Sequence, residues 1–348
     1  MNNTIWAITT LYRFFPNSPR EENFTAFRNH LFLQGIKLAV IEICSPNLDF
    51  YIKKSDCDFL LQFKTKSILW HKESSLNLLA RKIPYKIKNL AWVDSDSIIL
   101  NNDWPEQALE TLKQYPFIQL VKECQFLDKD NHITKTLPSY SFMKTSLNPE
   151  KIKGFPGFGW ISSRNNLIKY SLYDKAIVGG GDLLWADAIW NDPIKRFLTT
   201  NFTNINPFHF DYLEYKKKFQ EKGNILSGFI DKNNLTGLAG CLNCIGQHLY
   251  HDEINYRLYK LRHSILHHHN YNPKKDLKIE EKTGLLEIIN PILRDAVKCY
   301  FWFREQEKSD VLDYLFEIYK SWLSSIHKHD IQTNRKLLLP SLLQKELF

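Results

Sequence analysis

The sequence predicts an α/β fold in which helices flank a mostly parallel central sheet and a helical segment follows at the C-terminal end. Strand-like and helix-like segments alternate through the first 125 residues. The strand-like segments are apolar runs rich in β-branched residues, and the segments between them repeat apolar residues at helical spacing. Alternation of this kind is typical of parallel sheets, which bind ligands at the carboxyl ends of their strands.

Five strands are predicted before residue 125. In chain order their sequences are TIWAITTLY, IKLAVIEIC, FLLQFKT, NLAWVDSD and PFIQLV. After the first strand a helix is predicted over REENFTAFRNHLFLQG, closed by Gly35. A second helix is predicted in WHKESSLNLLARKIP and stops before Pro84. The apolar face of this second helix consists of Leu76, Leu79, Ala80 and Ile83.

A third helix is predicted in DWPEQALETLKQY, where Asp103 and Glu106 have the spacing of a capping box and Pro105 lies in the first turn. Residues 126–200 are less regular, rich in Gly and Ser, and end in a helix. Beyond residue 205 the chain is expected to be mainly helical. The segment DVLDYLFEIYKSWLSSI has one apolar stripe, made of Leu312, Leu315, Phe316, Tyr319, Trp322 and Ile326.

The chain is basic, with a formal net charge of +8 and a pI near 9.0. This balance suits an anionic partner such as a nucleotide. The lysines are scattered and form no arginine-rich run, so a solvated basic surface is favoured over binding to nucleic acid. The apolar and basic tail RKLLLPSLLQKELF is interpreted as a packed helix, with weak contact to a membrane surface as the alternative.

The six cysteines are interpreted as reduced thiols, because their number over 348 residues does not resemble a disulfide framework. Cys241 and Cys244 have the spacing of a redox or zinc motif, but no second pair accompanies them, and buried thiols are favoured. No signal peptide or membrane-spanning run is found in the sequence, so a cytoplasmic location is expected.

Asp94 and Asp96 follow the apolar run NLAWV at the predicted end of a strand. An acidic pair at a strand end commonly holds Mg²⁺ or Mn²⁺, which in turn binds phosphate oxygens. Two enzyme chemistries fit this pair. One is a phosphatase of the haloacid-dehalogenase type, for which GDLLWAD offers Asp182 and Asp187, and the other is transfer from a nucleotide sugar. A non-catalytic protein that binds a glycan or a nucleotide is the third possibility.

Three later motifs each have a structural and a functional interpretation. His248 and His251 in HLYH can share a metal ion or pack at the start of a helix. Asp182 in VGGGD can cap a helix or accept a proton, and the two functions are compatible. Trp160 in GFGW can belong to the core or stack on a sugar.

Several segments together resemble a group of bacterial and viral glycosyltransferases of the GT-A fold, distantly similar to β-1,4-galactosyltransferases. In the order and spacing in which they occur, these are WHKESSLNLLARKIP, LAWVDSDSIILNNDWPEQALETL, FIQLV, GFGWISSRNNLIKYSLYDKAIVGGGD, GQHLYHDEINYRLYKLRHSIL and the closing motif YFWFREQEKSD. The resemblance covers residues 1–308. It implies a Rossmann-like, nucleotide-sugar-binding domain over those residues, with a nucleotide-binding half at 1–125, an acceptor and metal half at 126–308, and a helical extension at 309–348.

The resemblance also implies a role for each candidate residue. Asp96 would bind Mn²⁺ or Mg²⁺, Asp94 would assist through the ribose or a metal-bound water, and the histidine pair His248 and His251 would complete the metal site. Asp182 would act as the base of an inverting transfer. The expected contacts to the nucleotide sugar, a UDP-sugar, are Thr9, Thr10, Tyr12, Trp160, Gly180 and Gly181. The acceptor would be a hydroxyl of a glycan, a protein or a small molecule.

One position departs from the family pattern, since Asp252 stands where glycine is usual after the histidine pair. A cap for a helix over DEINYRLYKLRHSIL is the favoured role for Asp252.

Overall fold

The protein is described by a computed structural model that covers residues 5–16, 20–145, 154–190, 207–220, 238–251, 257–259, 261–305 and 310–329. The described strands are β1 Ile5–Arg13, β2 Lys37–Cys44, β3 Phe59–Lys64, β4 Asn89–Val93, β5 Ser97–Ile99, β6 Phe117–Gln119, β7 Glu123–Leu127, β8 Ile133–Pro138, β9 Gly159–Ser163, β10 Ala239–Cys241, β11 Ile245–His248, β12 Leu277–Ile279 and β13 Leu286–Ile288. The described helices are α1 Arg20–Leu33, α2 Lys72–Lys82, α3 Trp104–Thr111, α4 Tyr140–Thr145, α5 Arg164–Tyr170, α6 Gly181–Ile189, α7 Pro207–Gln220, α8 His263–His268, α9 Pro273–Asp276, α10 Pro291–Glu305 and α11 Asp310–His329.

A mostly parallel sheet of seven strands forms the centre, in the order β10-β6-β9-β4-β1-β2-β3. Strand β1 runs parallel to both β2 and β4, and β2 runs parallel to β3. The predicted fold class, an α/β fold with helices around a mostly parallel central sheet, is confirmed. Because β1 lies between two parallel neighbours, its carboxyl end meets that of β4 at one edge of the sheet.

Both faces of this sheet are buried, which explains why the strands are continuous apolar runs. Ala7 and Leu11 of β1 point into the core beneath α1 and α3, whereas Ile8 and Tyr12 point into the core that contains α2. Alternate side chains of a strand point to opposite faces, so one apolar strand supplies both cores.

Strand β9 is the exception to the parallel order, because it runs antiparallel between β4 and β6. Its register pairs Trp92 with Trp160 and Val93 with Gly159. The residue before β9, Phe158, accepts a hydrogen bond through its carbonyl from the backbone N–H of Asp94, with an N···O distance of 2.9 Å. Strand β9 therefore supports the chain where the acidic motif begins.

A second sheet of four strands, in the order β5-β11-β7-β8, was not predicted from the sequence. Strand β11 pairs antiparallel with β5 and places His248 opposite Ser97. The two paired segments are the one that follows the acidic motif and the one that leads into the histidine pair. This pairing brings two motifs together that are far apart in the sequence.

The helix predictions are confirmed in outline and corrected in detail. Helix α3 has Pro105 in its first turn, but the predicted capping box is wrong, because the carboxylate of Asp103 accepts a hydrogen bond from the side chain of Gln107 (2.9 Å) instead. The helix predicted over 252–266 is α-helical only from His263 in its described part, and Asp252 lies outside the described residues.

Helix α11 buries Phe316, Tyr319 and Trp322 of its predicted apolar stripe. Its other predicted side chains, and the tail over 335–348, lie outside what the structure describes. The ring of Tyr319 stacks on Phe303 of α10 at a centroid distance of 5.0 Å, so the extension packs on the last helix of the preceding segment. Among the described helices, none combines the length and the apolar character needed to cross a membrane.

Candidate active site

The acidic motif forms the turn between β4 and β5. Strand β4 ends at Val93, and the backbone N–H of Ser97 donates to the carbonyl of Asp94 with an N···O distance of 3.1 Å, which closes the turn. Asp94 and Asp96 therefore lie at the carboxyl end of a central parallel strand, the position that the sequence predicted for ligand contacts.

Asp96 meets both predicted histidines. Its Oδ2 lies 3.0 Å from Nε2 of His251 and 3.9 Å from Nε2 of His248. One ligand atom from each of the three residues lies within 4.8 Å of the others, a grouping able to hold a metal ion. The backbone contributes as well, because the N–H of Leu249 donates to the carbonyl of Asp96 with an N···O distance of 2.8 Å.

His248 is arranged to present Nε2 to an ion. Its Nδ1 lies 2.9 Å from the carbonyl oxygen of Leu249, an acceptor, so Nδ1 carries the proton and Nε2 keeps its lone pair. The ring also stacks on Phe126 at a centroid distance of 5.2 Å. Burial lowers the pKa of His248 to about 4, despite the opposing attraction of Asp96, so the imidazole is neutral at neutral pH.

One carboxylate and two imidazoles are a donor set suited to a transition-metal ion rather than to Mg²⁺, which prefers oxygen. Burial raises the pKa of Asp96, but the attraction of His248 and His251 outweighs it, and the pKa lies below its usual range. Asp96 is therefore ionised and able to bind a cation. The residues that are present fit a divalent ion such as Mn²⁺.

Asp94 faces a different partner. Its Oδ1 lies 2.5 Å from Nζ of Lys72, the first residue of α2, and Asp94 does not belong to the three-residue cluster. Burial lowers the pKa of Lys72, but attraction by Asp94 and Asp182 outweighs it and raises the pKa above its usual value. Lys72 is therefore a charged partner, which leaves the role of Asp94 as a metal ligand or ribose contact as a prediction.

Asp182 lies in the first turn of α6, and the capping position is Gly180. Gly180 has φ +95°, a left-handed conformation that residues with a Cβ rarely adopt. Oδ1 of Asp182 accepts a hydrogen bond from its neighbour Leu183 (2.9 Å). A Cβ added at Gly157 would lie 2.9 Å from Oδ2, so the absence of a side chain there keeps space for the Asp182 carboxylate.

Glu73 lies behind Asp182 and is 3% exposed. A Cβ added at Gly181 would lie 2.3 Å from Cδ of Glu73, so α2 and α6 are in close contact here. Burial raises the pKa of Glu73 to about 8, and although Lys72 lowers it, Asp182 adds to the rise. In the described part of the chain Oε1 of Glu73 has no hydrogen-bond partner.

A cavity of about 640 Å³ connects these groups. Thr9, in the middle of β1, donates a hydrogen bond through Oγ1 to the carbonyl of Val93 (2.7 Å), which ties β1 to the end of β4. The predicted site residues that line this cavity are Thr9, Thr10, Tyr12, Asp94, Asp96, Gly180, Asp182, His248 and His251. The structure therefore brings most of the predicted site into one enclosure.

Trp160 and Gly181 lie elsewhere, in the wall of a neighbouring cavity of about 20 Å³ that Asp94 and Asp182 also line. Trp160 is 2% exposed, and its Nε1 donates to the carbonyl of Pro156 (2.9 Å). The sugar-stacking role of Trp160 stays a prediction, and the packing of its ring in the core is observed.

Sequence reasoning missed the arginines of the large cavity. Arg20, Arg257, Arg262 and Arg304 all line it. They are scattered along the chain without a motif, and only the fold brings them to one cavity. Arg257 places Nη2 3.0 Å from Nε2 of His251, so one arginine reaches the cluster of Asp96, His248 and His251.

No family model and no curated protein matches the chain. A search of solved structures finds a Drosophila β1,4-galactosyltransferase 7 mutant in complex with manganese, UDP-Gal and xylobiose, at 14% identity and TM-score 0.30, over 54% of this chain and 62% of that one. It also finds S. aureus TarS 1-349 in complex with UDP, at 13% identity and TM-score 0.39, over 66% of this chain and 71% of that one. A putative glucose-1-phosphate thymidylyltransferase from Bacillus anthracis in complex with a sucrose matches at 9% identity and TM-score 0.29, over 48% of this chain and 74% of that one.

The neighbours include glycosyltransferases, the class of enzyme that the sequence resembles. Each TM-score is below 0.5, so the neighbours assign no activity to this chain.

Proposed function

We propose that the protein is a metal-dependent glycosyltransferase that transfers a sugar from a nucleotide sugar to a hydroxyl acceptor. The observation that carries the proposal is the convergence of Asp96, His248 and His251 at the end of a central strand, with Asp182 in the same cavity. A cation site and a carboxylate base in one enclosure are what transfer from a diphosphate donor requires.

Asp96, His248 and His251 would hold the ion, and their two nitrogen donors favour Mn²⁺ over Mg²⁺. When bound, the ion would neutralise charge on the departing nucleoside diphosphate. Arg257, 3.0 Å from His251, would add a fixed positive charge beside the same phosphates.

The nucleoside would lie over the ends of β1 and β4. Thr9, Thr10 and Tyr12 line the cavity there, and Asp94, fixed by its ion pair with Lys72, would meet the ribose. UDP-sugars are the proposed donors. The proposed sugar contacts are the backbone of Gly180 and Gly181 and the ring of Trp160.

Asp182 would take the proton of the acceptor hydroxyl as that oxygen attacks the anomeric carbon from the face opposite the leaving group, which gives inversion. Its position supports this role, because Gly157 leaves space around the carboxylate. The same cavity would enclose the reacting groups and exclude water.

The test is a hydrolysis screen with UDP-, GDP- and CMP-sugars in the presence of Mn²⁺, with released nucleotide as the readout. We expect slow release from one donor, lost on chelation and in Asp96→Ala. Asp128→Ala is the matched control, because Asp128 belongs to a second, more exposed group of Asp and His outside the cavity. No release from any donor, together with no donor binding by calorimetry, would contradict the proposal.

The same screen includes a phosphomonoester, since a haloacid-dehalogenase-type phosphatase remains the alternative enzyme. That alternative needs Asp187 as a metal ligand, yet Asp187 is fully buried and accepts a hydrogen bond from the hydroxyl of Tyr140 (2.6 Å). Donor binding without turnover would instead indicate a non-catalytic binding protein.

A further inference from the structure

Two buried arginines lie at the end of the large cavity where α6 begins. Arg262 is 7% exposed and Arg304 is 8% exposed. Nη1 of Arg262 lies 3.1 Å from the position of a Cβ added at Gly179, and the ring of Trp70 lies 3.4 Å from the same position. The guanidinium carbon of Arg304 lies 5.6 Å from the centre of the Trp70 ring. Both arginines therefore flank Trp70, beside the glycines that precede Asp182.

Arg262 has no carboxylate partner among the residues that the structure describes. Its contacts are with the ring of Tyr259, 4.8 Å from the guanidinium carbon, and with Nε2 of His263, 3.4 Å from Nε. A guanidinium that is buried without a counter-charge is costly in free energy. A ligand with a negative charge would remove that cost.

The charged side chains that line the cavity also favour an anionic ligand. Its described cationic side chains are Arg20, Lys72, Lys135, Arg257, Arg262 and Arg304, and its described carboxylates are Asp94, Asp96 and Asp182. A divalent ion and the diphosphate of a nucleotide sugar cancel each other's charge, so cationic side chains still outnumber carboxylates among the described lining residues when both are bound.

The arginines also lie in different parts of the cavity. Arg257 contacts His251 at the metal-binding cluster, and Arg20 lies over the ring of Tyr12 at the end of β1, with 5.4 Å between the guanidinium carbon and the ring centre. These two arginines are therefore placed for the diphosphate and the nucleoside. Arg262, beside Gly179, is placed for a group bound next to Asp182, where the acceptor hydroxyl would lie.

Trp70 adds a further donor at this end of the cavity. Its Nε1 is buried, and within the described residues it has no hydrogen-bond partner. A buried N–H without an acceptor is costly, as a buried charge is. The ring of Trp70 and the guanidinium of Arg262 both lie against Gly179.

We propose that the acceptor substrate carries an anionic group, a carboxylate or a phosphate, which is bound by Arg262 and Arg304 with the indole N–H of Trp70 as a third donor. This inference rests on the proposed glycosyltransferase function. The planar fork of a guanidinium binds either anion through two parallel hydrogen bonds, and its rigid geometry would orient the acceptor hydroxyl toward Asp182.

The test uses the full-length protein with Mn²⁺ and UDP, and measures the binding of paired sugars by calorimetry. Methyl glucuronide is compared with methyl glucoside for the carboxylate, and glucose phosphate with glucose for the phosphate. We expect at least one charged sugar to bind about tenfold or more tightly than its neutral counterpart. The pair that shows the difference identifies the anion.

Arg262→Met is expected to abolish the preference for the charged sugar, and Arg262→Lys to keep only part of it, because lysine keeps the charge but loses the fork. Arg294→Met is the control, since Arg294 is exposed and pairs with its neighbour Asp295. UDP binding in the presence of Mn²⁺ reports whether each variant is folded.

Equal affinity for the charged and neutral sugars, or no binding of either, overturns the inference. It is also overturned when Arg262→Met weakens UDP binding as much as it weakens sugar binding, because the arginine then serves the donor. Failure of this inference can be distinguished from failure of the glycosyltransferase proposal. The latter would appear as no nucleotide release from any donor.

Discussion

The polar groups on two walls of the large cavity differ in whether they have partners within the protein. The strand wall consists of Thr9, Thr10 and Tyr12 of β1 and Asp94 after β4, and the arginine wall consists of Arg257, Arg262 and Arg304. In the strand wall the polar groups are paired within the protein, as in the hydrogen bond from Thr9 to Val93 and the ion pair of Asp94 with Lys72.

In the arginine wall Arg262 is buried without a described counter-ion. Paired groups stabilise the fold before any ligand arrives, whereas a group without a partner gains its interaction only when a ligand binds. Arg262 is thus the described group whose charge a ligand would compensate, whereas the paired groups of the strand wall shape the site. Changes in and around the strand wall are therefore expected to reduce folding stability, and loss of Asp182 between the walls to reduce activity.

The largest effect is expected from Asp182→Asn, which removes the proposed base between the two walls and keeps the size of the side chain. Transfer should fall by about 10² to 10⁴ fold, the range for loss of a general base. The measurement is the transfer rate at saturating donor, with UDP and Mn²⁺ binding measured in parallel. A variant that still transfers at the wild-type rate contradicts the assignment of Asp182.

A pH-dependent loss of stability is expected from His71, which lies beneath the strand wall at the start of α2. Burial lowers the pKa of His71 to about 4, although its hydrogen bond to the carbonyl of Ser67 raises it. The unfolded chain takes up this proton near pH 6.5 and the folded chain only near pH 4. The contribution of His71 to stability is therefore constant above pH 6.5 and falls by about 3 kcal/mol toward pH 4.

The check is urea denaturation of the wild type and His71→Gln from pH 7.5 to pH 4. The free energy of unfolding should fall less steeply in the variant. His248 contributes to the slope of both proteins, so the difference between them isolates His71. His132→Gln is the control, because the side chain of His132 is 79% exposed, and equal slopes for wild type and His71→Gln would falsify the prediction.

Gly181→Ala tests the contact between α2 and α6. Alanine is the better helix former by about 0.5–1 kcal/mol, but the new Cβ would lie 2.3 Å from Cδ of Glu73, which is too buried to move aside. Overpacking of this kind costs about 1–3 kcal/mol, so we expect net destabilisation. The measurement is the free energy of unfolding in a double-mutant cycle with Glu73→Ala.

If contact with Glu73 is the cause, the double variant should recover most of the loss caused by Gly181→Ala relative to Glu73→Ala alone. If the effects of Gly181→Ala and Glu73→Ala on the free energy of unfolding are strictly additive, the destabilisation by Gly181→Ala comes from the backbone of α6 instead.

The smallest effect is expected from Thr9→Val in the strand wall. The change keeps the volume and leaves the carbonyl of Val93 without its 2.7 Å donor, which should cost about 1 kcal/mol of folding stability. Thr134→Val removes a solvent-exposed hydrogen bond to Phe126 and is the matched control, with a smaller expected cost. An equal loss in both variants would mean that burial does not strengthen the tie between β1 and β4.

The strand wall could be predicted from sequence because its information is local. An apolar run that is followed by Asp94 and Asp96 already indicates the end of a strand, and the parallel topology places β1 beside that strand. The histidine pair could be named from its spacing, but its meeting with Asp96 depends on the pairing of β11 with β5, which no local pattern indicates.

The arginine wall and Glu73 could not be predicted, for the same physical reason. Arg262 and Arg304 belong to segments that reach the cavity only through the packing of α8 and α10. Glu73 has an unusual environment only because Gly181 lets α6 approach α2. A single arginine or glutamate in a helix is most often solvent-exposed, so its sequence neighbours do not reveal burial.

The pairing of β5 with β11 also sets an order of assembly. Asp96 lies in the first third of the chain, whereas His248 and His251 leave the ribosome long after the central strands β1 to β4 have been made. A nascent chain that ends before residue 245 contains the acidic turn without its two imidazoles. The three side chains of this cluster therefore come together late in synthesis, and such a partly made chain lacks two of them.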